Sequence, residues 1–281
     1  APPAGPTLPP TEVAWYARYL VARYGARPAI WLACGDGFGT EPTVAAAGEA
    51  FEQFDAYQQP TGLHYAPHAS DQAHSTASWA DFHWCQTGHS GEHQPEKVAW
   101  MWDRLPQKGI ANGEPSYEEM GQRGRAAGWW QGEEAWRNLC AGGTMAVVYG
   151  AGSLWQWRQS LTEPDHPWTI AEGCTWQDAL KFPGGSHVGR IRQLLAGLPI
   201  HQASPNRSAS LGRPGLLLPN EFYISYLQNG GETMIIDEQV PHTWTAYNAQ
   251  TGAVLAQGKR GASSPMIGSP QQLPTVIICK A

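Results

Sequence analysis

The chain has 281 residues, a formal charge of −6 and only 15% charged residues, with fourteen Trp and ten Tyr. That length suits one large domain, or one large and one small. An acidic balance without a basic run argues against a nucleic-acid partner, and no apolar run approaches the roughly 20 residues of a membrane span. The five cysteines, Cys34, Cys85, Cys140, Cys174 and Cys279, are odd in number and form no CxxC. This excludes a disulfide framework and a zinc ribbon and predicts buried thiols, with room for one bridge. Few lysines and many Gly, Pro, Ser and Thr fit a secreted protein, extracellular or periplasmic. The start at Ala1, without Met or a signal peptide, reads as a processed or engineered end. Sugars present flat C–H faces with polar rims, which aromatic rings with a polar handle match. About half of the Trp therefore read as cleft platforms and the rest as core.

In chain order, the Pro-rich residues 1–10 read as a loop. Thr11 is placed to cap a helix carrying Tyr16, Tyr19, Leu20 and Arg23 up to Gly25. A short strand from Ala29 to Ala33 ends at Gly35-Asp36-Gly37, and a helix from Pro42 aligns Val44, Ala47, Phe51 and Phe54. The alternation repeats. Leu63 to Tyr65 is a strand ending at Pro67-His68, and Asp81 to Cys85 is one ending at Gln86-Thr87-Gly88-His89. A helix from Pro95 to Leu105 turns Val98, Met101, Trp102 and Leu105 inward. Gly109 to Ala111 is a strand ending at Asn112-Gly113-Glu114-Pro115; a helix at Glu133 to Ala141 and a strand at Met145 to Tyr149 follow. Such alternation predicts a parallel α/β sheet. Every polar cluster follows a strand, on the face where (β/α)8 barrels carry their active sites. Five strand–helix units are present where a closed barrel needs eight. From about residue 204 the texture changes to strand-like runs at 216–218, 222–227, 233–236, 243–247 and 275–278, separated by turn signals such as Asn229-Gly230-Gly231. The predicted organisation is a partial (β/α)8 domain over residues 1–203 and a small antiparallel β-sandwich over 204–281.

Glycoside hydrolysis needs two carboxyl groups flanking the scissile bond, one to protonate the leaving oxygen and one to attack the anomeric carbon or activate water. Asp36 and Glu114 each sit in a Gly-containing post-strand turn, where backbone approaches a ligand closely. They follow strands separated by two others, so they can face each other across a barrel mouth. His68, Gln86, His89, Tyr117, Glu118, Trp155 and Trp157 also follow strands, and their polar groups or rings suit sugar hydroxyls and faces; Trp157 could equally be core. The spacing of His64, His68, His74, His83, His89 and His93 is irregular and lacks HExxH, which weighs against a catalytic metal.

Several stretches are similar to the apiosidase-like glycoside hydrolases. They are Ala22-Arg23-Tyr24-Gly25-Ala26 leading to Trp31-Leu32-Ala33-Cys34-Gly35-Asp36-Gly37, Trp79-Ala80-Asp81-Phe82 leading to Gln86-Thr87-Gly88-His89, Asn112-Gly113-Glu114-Pro115-Ser116-Tyr117-Glu118, and Arg137 leading to Tyr149-Gly150 and Trp155-Gln156-Trp157. Cys34 departs from the small or apolar residue expected there. The β-rich tail resembles the family's second domain more loosely. The resemblance implies strands four to eight of a (β/α)8 barrel, with Asp36 after the fourth as acid/base and Glu114 after the seventh as nucleophile. It implies a retaining mechanism on a plant or microbial glycan, with no cofactor and no metal. It adds Trp79 and Asp81 to the expected substrate-binding residues. It places the start of the match at the fourth strand; the open sheet edges and uncovered barrel interior this leaves predict a second chain carrying the first three strands, most simply the N-terminal fragment of the same precursor, with a truncated sequence as the alternative. The alternative is a non-catalytic glycan- or matrix-binding or structural extracellular protein, which would have no need of an intact carboxylate pair.

Overall fold

The computed structural model describes residues 8–67, 73–120, 127–164, 174–208, 214–261 and 265–281. Helix α1 (Pro10–Tyr24) begins with proline at its first position, where a missing N–H leaves nothing unpaired. Its cap residue is Pro9, so Thr11 lies inside the first turn and caps nothing. The face it buries is Ala17 and Val21, against α2 (Pro42–Phe54), while Tyr16 and Tyr19 are exposed together with Trp15. Small residues let the two helices approach, and the bulky aromatics face away. On α2, Val44, Ala47 and Phe51 are buried as the pattern predicts, whereas Phe54 at the last turn is exposed.

Five strands form one parallel sheet in chain order: β1 (Trp31–Leu32), β2 (Thr61–His64), β3 (Phe82–Gln86), β4 (Gly109–Glu114) and β5 (Ala146–Val147). Helices α3 (Pro95–Trp102) and α4 (Trp129–Cys140) lie between the later strands. Leu63, Tyr65, Cys85 and Ile110 of the sheet pack against Val44, Trp79, Val98 and Met101 on the helix side. The opposite face is filled by Phe82 and Trp84, which lie over two glycines. A Cβ at Gly62 would stand 2.5 Å from the Phe82 ring, and one at Gly113 only 1.3 Å from Trp84 Nε1. Helix α3 stops at Trp102, so Leu105 is left exposed rather than inward. Pro106 follows it, and a residue before proline is disfavoured in helix.

After β5 come the short helices α5 (Gly152–Trp155) and α6 (Trp176–Ala179), then α7 (Gly184–Leu194). The remaining strands are antiparallel: β6 (Ser204–Asn206), β7 (Gly215–Leu218), β8 (Phe222–Leu227), β9 (Gly231–Met234), β10 (Thr243–Asn248), β11 (Val254–Lys259), β12 (Met266–Ser269) and β13 (Thr275–Lys280). They make a six-stranded sheet in the order β11-β10-β13-β8-β7-β6 and a β12-β9 pair. All six residues of β8 are buried, because both of its faces are covered. Phe222, Ile224 and Tyr226 join Trp136, Leu139 and Cys140 of α4 in one core, while Tyr223 and Leu227 join Ile235, Val240 and Ile267 in another. The parallel and antiparallel parts therefore share a core through α4. All five cysteines are free thiols.

Candidate active site

Glu114 ends β4, and a bulge aims it. Cys85 pairs with Asn112 but Gln86 pairs with Glu114, so Gly113 is an extra residue in β4. Such a bulge re-aims the next side chain. Here Glu114 turns toward β2 instead of back over Asn112, and a glycine is required because Trp84 occupies the place of its Cβ. Two histidines hold the carboxylate. His89 Nε2 lies 3.0 Å from Oε1 and His64 Nε2 lies 3.1 Å from Oε2. His89 Nδ1 accepts the backbone N–H of Tyr117 at 3.3 Å. Its ring proton therefore sits on Nε2 and donates to Glu114. The His64 contact is an ion-pair distance without hydrogen-bond alignment. Burial alone would raise the pKa of Glu114, but the contacts from His64 and His89 outweigh it and hold the group at about 2. Glu114 is thus a carboxylate at any working pH.

Asp36 stands in the turn after β1 with a left-handed backbone (φ 52°) and an exposed side chain. Aspartate tolerates that conformation better than most residues. The turn is fixed by a parallel bridge from Gly37 to Tyr65 and a hydrogen bond from Ala66 N to Gly37 O at 2.9 Å. Asp36 and Glu114 each offer an oxygen, and His64 a ring nitrogen, within 4.8 Å of one another. Among the described residues this is the one donor set compact enough to hold a cation. Tyr117 lies close by, its ring 4.8 Å from that of His89. Burial first, then the charges of Glu114 and Asp36, push its hydroxyl up to about 12, so it stays a neutral donor.

The other expected positions divide. His89 and Tyr117 meet Glu114, and Gln86 is buried in register with it, its Oε1 without a partner. Trp155 and Trp157 are both exposed, and Trp157 stacks on Trp176 with centroids 4.9 Å apart, so it is not core. Three expectations are corrected. Trp79 is 3% exposed and packs into the helix-side core over Gly48, so no sugar reaches its face. Asp81 precedes β3 at the opposite end of the sheet, where its Oδ2 accepts Thr61 N at 2.9 Å. Glu118 is 2% exposed and both its oxygens are engaged within the protein. Oε1 accepts Gly128 N at 2.6 Å, and Oε2 accepts Tyr149 Oη at 2.7 Å and Gly184 N at 2.9 Å. It ties together the N-termini of α4 and α7, where a carboxylate is favoured. His68 lies outside the described residues. His64 is a site residue that the irregular spacing of the histidines does not single out. Its signal was its place at the end of a strand, between Leu63 and Tyr65, which both face the helices. His83, by contrast, is buried against Tyr65 (Nδ1 to Oη 3.1 Å) and pushed down to about 4 by that burial.

A close carboxylate pair at the C-terminal end of a parallel sheet is the kind of arrangement that glycoside hydrolysis uses. The chain belongs to the apiosidase-like family: residues 4–202 match its "Apiosidase-like, catalytic domain". Two solved structures share the fold. One is described as a glycoside hydrolase (TM-score 0.78, 18% identity, covering 97% of this chain and 69% of that one). The other is a glycoside hydrolase family 5 protein from Bacteroides vulgatus (TM-score 0.78, 19% identity, 97% and 67%). No curated protein matches the chain in sequence.

Proposed function

We propose that the chain is the greater part of a retaining glycoside hydrolase acting on a plant or microbial glycan, with Glu114 as nucleophile and Asp36 as acid/base. The observation that carries this reading is the approach of the two carboxylates, an oxygen of each within 4.8 Å. Between whole carboxyl groups, retaining pairs stand roughly 5–5.5 Å apart and inverting pairs roughly 6.5–9.5 Å, and oxygens this near each other can serve one glycosidic bond; the retaining assignment itself follows the family resemblance. Ionised Glu114 attacks the anomeric carbon while Asp36 gives its proton to the leaving oxygen. Asp36 then takes a proton from the water that releases the sugar from Glu114. His64 and His89 orient the nucleophile, and Tyr117 offers a neutral O–H beside it. The reading needs no cofactor. A screen of aryl glycosides that includes furanosides tests it: turnover of at least one by the assembled protein is expected, and none turned over would reject it.

The five parallel strands are read as strands four to eight of a (β/α)8 barrel, and the antiparallel sheets as an accessory β-sandwich. In support, β1 and β5 are edges of the sheet, Trp15, Tyr16 and Tyr19 are exposed on α1, and about a third of each similar structure lies outside the match. An uncovered apolar surface of this kind is rare on a soluble monomer. Three more strands, carried on a companion polypeptide from the same precursor, would complete the barrel. Native mass spectrometry should find that companion bound, and a folded, active 281-residue chain alone would refute it. A secreted location belongs to the same proposal, on composition alone.

A further inference from the structure

The geometry points to Glu134 as a positioning residue of this reaction, a buried carboxyl that clamps together the two turns carrying His89 and Glu114. The inference rests on the glycosidase reading for its kinetic test only. Glu134 projects from α4 and is 1% exposed. Its Oε1 accepts the hydroxyl of Thr87 at 2.6 Å and its Oε2 accepts the backbone N–H of Ser116 at 3.2 Å. Thr87 follows β3 and stands two residues before His89; Ser116 stands two residues after Glu114 and one before Tyr117. Further bonds close the clamp. Thr87 N donates to Glu114 O at 3.1 Å, Ser116 Oγ to Gly88 O at 2.5 Å, and Tyr117 N to His89 Nδ1. One side chain on a helix thus sets the separation of the His89 ring and the Glu114 carboxylate while touching neither.

The surroundings favour the neutral acid. Among the described residues no cation pairs with Glu134. Lys97 of α3 gives its Nζ to Pro67 O and Thr87 O, and Arg137 of α4 is paired with Glu133 at 2.6 Å. Cys85 of β3 is pushed up to about 12 by burial and is uncharged. Glu114 of β4 is engaged by His64 and His89. Burial accordingly pushes Glu134 up to about 8, with the bonds from Thr87 and Ser116 opposing it only in part. A neutral acid must donate as well as accept, and the neighbours allow it. Thr87 Oγ1 lies 3.2 Å from the Asn112 amide, whose Oδ1 is otherwise buried without a partner. With that amide turned over, a choice that heavy-atom positions leave open, Glu134 donates to Thr87 and Thr87 to Asn112 Oδ1. In that arrangement the proton of Glu134 and the hydroxyl of Thr87 each have an acceptor.

Glutamine keeps an acceptor for Ser116 N–H and a donor toward Thr87, with one further N–H, and alanine keeps neither. On an aryl glycoside that the wild type turns over, E134Q should keep most of kcat. E134A should lose roughly 10–100-fold in kcat, as changes to groups that orient a functional residue do, with KM little changed. Two readouts need no substrate. The His89 ring signals in ¹⁵N NMR should step around pH 8 in the wild type and not in E134Q. The folded-state pKa lies above the unfolded one, so the stability contributed by protonation is full below about 4.5 and lost as pH rises toward about 8. The melting temperature of E134Q should therefore gain on the wild type across that range. An E134Q protein as inactive as E134A, a folded E134A with undiminished kcat, or a His89 step that survives in E134Q would each overturn the assignment. If no glycoside is turned over, the NMR and melting results still decide whether the clamp exists.

Discussion

Replacing Glu114 by alanine should abolish turnover of every glycoside, activated or natural, with kcat falling at least about 10⁴-fold, a barrier increase of roughly 5.5 kcal/mol. The two other carboxylates nearest the turn, among the described residues, are not placed to take over the attack. Glu118 has both oxygens committed to Gly128, Tyr149 and Gly184, and Glu134 lies behind the turns. Asp36→Ala should behave differently. Natural glycosides need the leaving oxygen protonated, and general acid catalysis contributes about 10²–10⁴-fold. Aryl glycosides with good leaving groups need little of that help in the first step and should be spared. Steady-state kinetics on both substrate types checks the pair of variants. Equal losses for Asp36→Ala on both would reduce Asp36 to a group that positions or stabilises.

The second large effect concerns stability. A chain ending at residue 203 should fail to fold, although the family match ends at 202 and the proposed chemistry lies wholly before it. Trp136 is 0% exposed and packs parallel to Tyr226, ring centroids 6.5 Å apart and planes 7° apart. Leu139 and Cys140 share that core with Leu216, Phe222, Ile224 and Ile278. Removing the antiparallel strands would strip one side of α4, the helix that also carries Glu134. Trp136→Ala alone should cost about 3–5 kcal/mol, a large part of the ~5–15 kcal/mol that stabilises a typical domain. Circular dichroism and gel filtration of the truncated protein check this. A soluble, cooperatively melting fragment would show that the two parts fold independently.

How much of this was legible in the sequence depends on which signals are local. Apolar runs and helical faces placed α2 and α3, which bury one face, and α4 and β8, which are buried along most or all of their length. They said less about β11, whose residues are half-exposed or exposed, and about β12, whose run Met266-Ile267-Gly268-Ser269 is short and contains a glycine. Asp36 and Glu114 stood out because glycines frame them. Trp79 and Asp81 share a stretch with β3 but precede it, so one falls into the core and the other at the far end of the strands. The post-strand position of Glu118 was right and its partners were not visible, because they come from Tyr149 and Gly184, far along the chain. His64 depended on strand parity and on a one-residue bulge in β4, neither of which a composition of histidines reveals. Glu134 read as an ordinary helix residue, since its role comes entirely from what packs against it.

In the proposed mechanism Glu114 attacks the sugar and Asp36 serves as its acid/base partner. The most direct test is to incubate the assembled protein with an activated fluorosugar of the glycoside found by screening, then digest it and locate the modification by mass spectrometry. One sugar should be bound covalently through Glu114, with no adduct in Glu114→Ala. An adduct on another residue, or hydrolysis of the fluorosugar with inversion and no adduct, would contradict that mechanism.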